Sequence, residues 1–399
     1  MSNKNQENLD LYNAKMMPTY TPAVVLASGK GIQVRDVDGH SYYDFTSGIG
    51  VNAVGYANPE VVKAIQTQAA TLAHCSNLFA NVPAIKLAEK LVALSGLGGK
   101  VFFCNSGAEA NEAALKLARK WGAQNGGRYE VVTFRQGFHG RTLATVAATA
   151  QAWCQEGYDP LPVGFAYADY NDLESVKAAI SDKTVAIMLE AVQGEGGVTP
   201  ATEEFMKGVR ALCDEKNLLM ICDEVQAGMG RTGKWFAWQN FGIKPDLFTC
   251  AKALGGGLPM GALVASAKYA DVFGPSAHAS TFGGNPVSAA AALAVIGVIE
   301  KGKLLDNAIK LGALFREALQ GFVDKYDKLL EVRGLGLMLG LVVDGEAKDV
   351  VEALRGQGLL ALTAGKHVVR FLPPLTLGED ELDEACDMIS DALDCAFGE

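Results

Sequence analysis

Met220-Ile221-Cys222-Asp223-Glu224-Val225-Gln226 and, further on, Ala251-Lys252-Ala253 decide the reading of this chain. An apolar run from Leu218 to Cys222 ends abruptly in an acid, and a second from Leu247 to Ala251 ends in a lysine. Short β-prone runs of this kind form buried strands of a parallel sheet. Such sheets collect ligands beyond the carboxyl ends of their strands. Asp223 and Lys252 are therefore expected to face one crevice from neighbouring strands. Taken singly, each has an ordinary reading: an acid after a strand caps a turn, and a lysine near a loop is solvated. Their company shifts the balance. Lys252 is followed by Gly255-Gly256-Gly257, where a ligand can approach the backbone closely, and Asp223 by Gln226 and Gly228-Met229-Gly230-Arg231-Thr232-Gly233.

An amine and a carboxylate at one crevice suit pyridoxal phosphate. The lysine would carry the cofactor, and the carboxylate would keep its ring nitrogen protonated so that the ring accepts electrons. The stretches LLMICDEVQAGMGRTGKWFA (residues 218–237) and KPDLFTCAKALGGGLPMGALV (residues 244–264) resemble the signature of class III aminotransferases, fold-type I pyridoxal phosphate enzymes. The resemblance runs from about Thr21 to Thr376.

Composition bounds the alternatives. The chain has 399 residues, 49% of them hydrophobic, with 45 glycines and a formal charge of −10. That length suits two domains, and the glycines suit the many turns of an α/β fold. The acidic balance argues against nucleic acid. Without a long apolar run or a charged apolar leader, the chain reads as a cytoplasmic protein that does not enter a membrane. The eight cysteines include no CxxC pair and the five histidines show no ligand spacing, so no metal site is expected. Cys104, Cys222 and Cys250 lie in strand-like runs as small core residues.

Along the chain, residues 1 to about 17 are polar and unpatterned, which predicts a loose arm. Residues 32–45 alternate around Asp38-Gly39, a hairpin signal. Helical spacing follows over Pro59 to Leu72 and Pro83 to Leu94. The strand Val101 to Cys104 runs into Asn105-Ser106-Gly107-Ala108-Glu109 and an amphipathic helix. A strand, small residues and a helix N-terminus make a phosphate site. Ser106 with Glu109 also makes a capping box, which would satisfy the same N–H groups internally, and both readings stand at this point. Further strands are expected over Glu130 to Phe134, Thr184 to Leu189 (ending in Glu190) and Ala262 to Ser266, and a helix over Glu203 to Lys216. From Pro286 a long helix opens a tail of helix, strand (Leu337 to Val343), helix, strand (His367 to Leu372), helix. Gly334 to Gly340 is only superficially a nucleotide motif, because Leu339 stands where the third glycine belongs; it reads as close strand packing. The expected fold is an α/β fold-type I transferase with three parts. Residues 1–45 form an arm and hairpin packed on the small domain, 46–285 a large domain with a mostly parallel, helix-covered sheet, and 286–399 a smaller α+β domain.

The resemblance implies roles for particular residues. It selects the phosphate reading for Ser106, Gly107 and Ala108, and implies that Phe138 and Val225 press on opposite faces of the pyridine ring. Lys252 carries the cofactor and moves the proton, Asp223 serves the ring nitrogen, and Gln226 meets the ring hydroxyl. Thr281 reaches the phosphate held by a second copy, making a homodimer with shared sites. Arg370, in VVRFLPPL, holds the α-carboxylate of glutamate; Glu195 pairs with it when the other substrate brings none; Arg141 holds the distal carboxylate. Residues 34–61 match a segment lining the substrate side.

Within the family, residues 74–91, 102–119, 193–198 and 280–286 resemble the acetylornithine branch, with Asn77 reading the acetamide. The implied reaction moves the terminal amino group of N2-acetyl-L-ornithine to 2-oxoglutarate by a ping-pong route, in arginine biosynthesis. Ornithine, succinylornithine and 4-aminobutyrate are the alternative donors, and an aminomutase or racemase on the same fold is the alternative class. Two departures from the family pattern, Ala191 for proline and Met260-Gly261 for isoleucine-serine, bear on the pocket rather than on the chemistry.

Overall fold

The computed structural model describes residues 3–398. Continuous apolar runs make strands that can be buried on both faces. Thr184–Glu190 and Leu219–Asp223 are buried at every position. They lie side by side in a seven-stranded sheet whose spatial order begins Lys100–Cys104, Gly261–Ala265, Leu247–Cys250, Leu219–Asp223 and continues Thr184–Glu190, Glu130–Phe134, Phe165–Ala168. Gly261–Ala265 runs antiparallel to both of its neighbours, and the remaining pairings are parallel. The registers place Glu190, Asp223 and Thr249 in one row at the carboxyl edge. The fold is α/β with a mostly parallel sheet, as expected.

The helix Gly107–Gln124 buries Ala110, Ala113, Ala114, Leu117 and Trp121, the stripe that its apolar spacing predicts. Pro286–Lys301 starts with proline just inside the helix and Asn285 as its cap, accepting from the Val287 and Ser288 N–H groups. In the tail, Leu329–Leu335, Met338–Val343, Val368–Phe371 and Leu362–Thr363 form a second, four-stranded sheet. Gly334 to Gly340 spans its first turn, where a Cβ on Gly334 would lie 1.9 Å from the Met338 carbonyl oxygen. Helices Leu304–Lys325, Ala347–Gly356 and Glu379–Phe397 complete this region. A third sheet joins the chain's two ends: Leu26–Lys30, Gln33–Asp36 and Ser41–Asp44 continue into Leu359–Leu360, which runs parallel to Ser41–Asp44.

One expectation is corrected. Residues 4–15 form a helix, not a loose arm. No residue of this helix is buried, so no apolar periodicity announces it. Its first turn is held from outside by Asp38, whose carboxylate accepts from the Lys4 and Asn5 N–H groups at 2.9 Å each. The Asn5 side chain adds bonds to Asp36 (2.7 Å) and from the Val25 N–H (2.8 Å). No helix among the described residues is long and apolar enough to cross a membrane.

Candidate functional site

At the carboxyl edge of the large sheet lies a cavity of about 490 Å³. Lys252, Asp223, Ser106, Gly107, Ala108, Phe138, Arg141, Glu195, Val225 and Gln226 all line it. Lys252 lies two residues past the strand Leu247–Cys250 and adopts a left-handed backbone with φ 44°. For a residue with a Cβ that conformation costs about 1–2 kcal/mol, strain of the kind that collects at functional sites. Burial lowers the Lys252 ammonium to about 8, with Glu195 opposing and Arg370 assisting. A nucleophilic amine is therefore accessible near neutral pH.

Asp223 is the hub of a buried network that the sequence alone did not disclose. Its Oδ2 accepts from Asn111 Nδ2 at 2.7 Å and meets His139 Nδ1 at 2.8 Å, and its Oδ1 accepts from the Val225 N–H at 3.0 Å. Asn111 is held in turn by the His139 carbonyl and the Thr249 hydroxyl, each at 2.7 Å. Burial works to lower the His139 imidazolium, but the bonded Asp223 carboxylate outweighs it and raises the ring above its ordinary value. Next to Asp223, burial pushes the Glu190 carboxyl up to about 7, with His139 pulling it down and Asp223 pushing it further up. Glu190 accepts from the Phe138 N–H at 2.9 Å and the Gly194 N–H at 3.1 Å, tying an aromatic wall of the cavity to the segment that carries Glu195.

At the helix N-terminus the two readings of Ser106 and Glu109 prove compatible. Ser106 Oγ accepts from the Glu109 N–H (3.2 Å) and the Glu109 carboxylate accepts from the Asn105 N–H (2.8 Å). Among the described residues the N–H groups of Gly107 and Ala108 make no such bond, leaving an anion seat at the positive end of the helix dipole. A Cβ on Gly107 would lie 2.7 Å from Val225 Cγ1, so glycine keeps this corner open. The lysine, the supported acid and the free N–H groups fit pyridoxal phosphate in kind and placement.

Arg370 is buried on Val368–Phe371. It donates from Nη1 to Glu195 Oε1 (2.6 Å), Gln226 Oε1 (3.0 Å) and the Gly194 carbonyl (3.1 Å), and from Nη2 to Glu195 Oε2 (3.3 Å). Burial alone would raise Glu195, but the Arg370 charge prevails and lowers it. Gln226, expected at the ring hydroxyl, is engaged here by this pair, donating to Glu195 Oε1 at 3.2 Å as well. Arg141 is exposed at the cavity rim, its guanidinium stacked 5.4 Å from the Phe138 ring and 4.7 Å from Trp153.

Asn77, read from the resemblance as meeting the acetamide, lies with Thr281 outside the cavity of the single chain. Its amide donates to the Ser280 (2.8 Å) and Gly283 (2.9 Å) carbonyls, which uses both of its N–H groups to clamp the loop carrying Thr281. Thr281 itself is exposed. Of the two departures from the family pattern, Met260 lines the cavity and Ala191 does not.

A family model described as aminotransferase class-III matches residues 15–393. An acetylornithine aminotransferase of Methanocaldococcus jannaschii is 49% identical over 378 residues, 94% of each chain. The crystal structure of an N-acetylornithine aminotransferase from Stenotrophomonas maltophilia superposes with a TM-score of 0.84 at 38% identity, covering 97% of this chain and 98% of that one. An ornithine aminotransferase from Toxoplasma gondii, described with pyridoxal phosphate at its active site, superposes at 0.94 with 32% identity, over 98% and 94% of the two chains. With likeness of this extent added to a cavity built for the cofactor, the chain belongs to the class III aminotransferases, the pyridoxal-phosphate-dependent transaminases.

Proposed function

We propose that the chain moves the terminal amino group of N2-acetyl-L-ornithine to 2-oxoglutarate, giving N-acetyl-L-glutamate 5-semialdehyde and L-glutamate. The observation that carries this reading is the Arg370–Glu195 pair, whose glutamate lines the Lys252 cavity while Arg370, buried, is bonded to it from outside the lining. Acetylornithine presents an amine with no carboxylate beside it, and an unpaired buried guanidinium would then be costly. Glu195 neutralises Arg370 in that half-reaction. Glutamate and 2-oxoglutarate bring their own carboxylate, and Glu195 yields to it. Arg141, stacked but free of any carboxylate partner among the described residues, holds the distal carboxylate of either substrate. The likeness to acetylornithine aminotransferases supports the choice of donor.

When bound, pyridoxal phosphate supplies an electron sink for the carbanion formed at the amine-bearing carbon. Lys252 would hold the cofactor, and its Nζ, once released by the incoming substrate, would lift the proton from the substrate carbon. The Asp223 carboxylate, oriented by His139 and Asn111, serves the ring nitrogen, while Phe138 and Val225 flank the ring. The Ser106 hydroxyl with the Gly107 and Ala108 N–H groups holds the phosphate, completed by Thr281 of a second copy in a homodimer. Exposed apolar side chains beside Thr281 (Leu78, Phe79, Val82 and Phe282) support such an interface.

The test is a panel of acetylornithine, ornithine, succinylornithine and 4-aminobutyrate with 2-oxoglutarate as acceptor, ranked by kcat/KM, together with single-turnover half-reactions of Glu195→Ala. Acetylornithine is expected to lead the panel. The variant should keep or improve its reaction with glutamate and weaken with acetylornithine, a relative shift of about 1.5–3 kcal/mol. Equal losses with both donors would reduce Glu195 to a structural residue, and amine exchange without consumption of 2-oxoglutarate would favour an aminomutase or racemase.

A further inference from the structure

If Glu195 leaves Arg370 when an acceptor arrives, its carboxylate needs another seat. We infer that Arg333 is that seat: it receives Glu195 while a substrate carboxylate occupies Arg370. The inference rests on the reading of Glu195 and Arg370 as an exchangeable pair.

Four observations carry it. The first is register. In the antiparallel sheet of the tail, Arg333 stands opposite Gly340, and Gly340 stands opposite Arg370. Residues directly opposite on antiparallel strands share a face, so both guanidinium stems rise from the same face, about 9–10 Å apart at the backbone. Between them is a residue with no side chain, and the room above it is taken by Val198 and Val368.

The second is the course of the Glu195 segment. A Cβ on Gly340 would lie 2.9 Å from the Val198 Cβ, and one on Gly197 would lie 3.5 Å from Arg333 Nη1. The segment 195–198 is thus laid over the gap, with one end at Arg370 and the other at Arg333. Third, Glu195 lines two cavities. One holds Lys252; the other, also about 490 Å³, is walled by Gln136, Arg333, Asp344, Lys366 and His367 as well as Glu195.

Fourth, the two partners differ in freedom. The Arg370 side chain is 3% exposed and pinned by three acceptors, whereas that of Glu195 is 29% exposed, with glycines at 194, 196 and 197. The glutamate is the member that moves. In the second cavity Asp344 carries the wrong sign, Lys366 is paired with Glu346 at 2.9 Å, and His367 Nδ1 faces the Gly345 carbonyl at 2.7 Å. Arg333 is paired with Glu331 through Nε and Nη2 only, which leaves Nη1, the atom nearest Gly197, to take a second carboxylate.

The experiment combines Arg333→Gln and Arg333→Lys with Glu195→Ala in the holoenzyme. It measures each half-reaction separately, and it includes the crystal structure of the wild-type holoenzyme with glutarate bound. Arg333→Gln is expected to weaken kcat/KM for glutamate and 2-oxoglutarate about three- to fivefold, the scale of a partly exposed ion pair. The loss should appear in KM, with the acetylornithine half-reaction unchanged, and Arg333→Lys should restore part of it. In the Glu195→Ala background the Arg333 substitution should have no further effect, and in the glutarate complex the Glu195 carboxylate should sit against Arg333. Equal losses in both half-reactions, an effect that persists without Glu195, or a glutarate complex with Glu195 turned elsewhere would each overturn the Arg333 assignment. Failure of Glu195→Ala by itself to separate the two donors would overturn the exchange reading, and this inference with it.

Discussion

Lys252 joins two properties that a solvated lysine lacks, a strained left-handed backbone and an ammonium lowered to about 8 by burial. Because the neutral amine is the reactive form, capture of pyridoxal phosphate by the apoprotein should quicken as pH rises through about 8 and level off above it. Stopped-flow absorbance of the lysine-bound cofactor reads this directly, and a flat profile from pH 6.5 to 9 would contradict it. Lys252→Ala should lose both that absorbance and steady-state transamination; turnover near the wild-type rate would remove Lys252 from the chemistry. The pairing of Lys252 with Asp223 was legible in the sequence because each ends its own apolar run, a pattern written in consecutive residues. The support beneath Asp223 was not. His139 and Asn111 lie 84 and 112 residues from it in the chain, and no local spacing registers a contact made only by folding. The one available signal was the position of His139 beside Phe138, in the loop after a strand of the same sheet.

At the scale of elements, the helix Gly107–Gln124 shows how a cap and a binding site share four N–H groups. The capping pair takes the outer ones and leaves those of Gly107 and Ala108 to the ligand. Gly107→Ala would set a Cβ 2.7 Å from Val225 Cγ1. Overpacking of this order costs about 1–3 kcal/mol of fold stability, so the melting temperature of the apoprotein should fall, and cofactor affinity should fall with it, about tenfold, as Val225 is pushed toward the cavity. Equilibrium dialysis of the variant checks it, and an unchanged Kd would show that Val225 yields without disturbing the site. Long elements with an apolar stripe were legible almost to the residue; Glu130–Phe134 and Glu203–Lys216 fall where their spacing predicts. The helix Lys4–Lys15 was not, because it buries nothing: beyond the Asn3 cap its first turn is braced from outside by Asp38. Periodicity reports burial, and a helix held only by hydrogen bonds leaves no such trace.

On the scale of the whole molecule, the cavity holds every proposed cofactor residue except Thr281, which faces solvent beside Leu78 and Phe282. In a homodimer that shares its sites, Thr281→Ala should weaken cofactor binding about ten- to a hundredfold, the worth of one hydrogen bond to a charged group. Wild-type affinity should also decline when the protein is diluted below its dimer dissociation constant. Fluorescence titration across a range of protein concentrations measures both effects. An affinity indifferent to dilution and to the substitution would place Thr281 outside the site.

The third sheet has a consequence in time. Ser41–Asp44 is completed on one edge by Leu359–Leu360, a strand that the ribosome makes after more than three hundred further residues. At typical synthesis rates that interval is on the order of tens of seconds. Throughout it the hairpin presents an unpaired strand edge, of the kind that invites pairing with the wrong chain. The newborn protein therefore spends most of its synthesis with this hairpin waiting for its partner strand, an interval in which a chaperone that covers the open edge should raise the yield of folded protein.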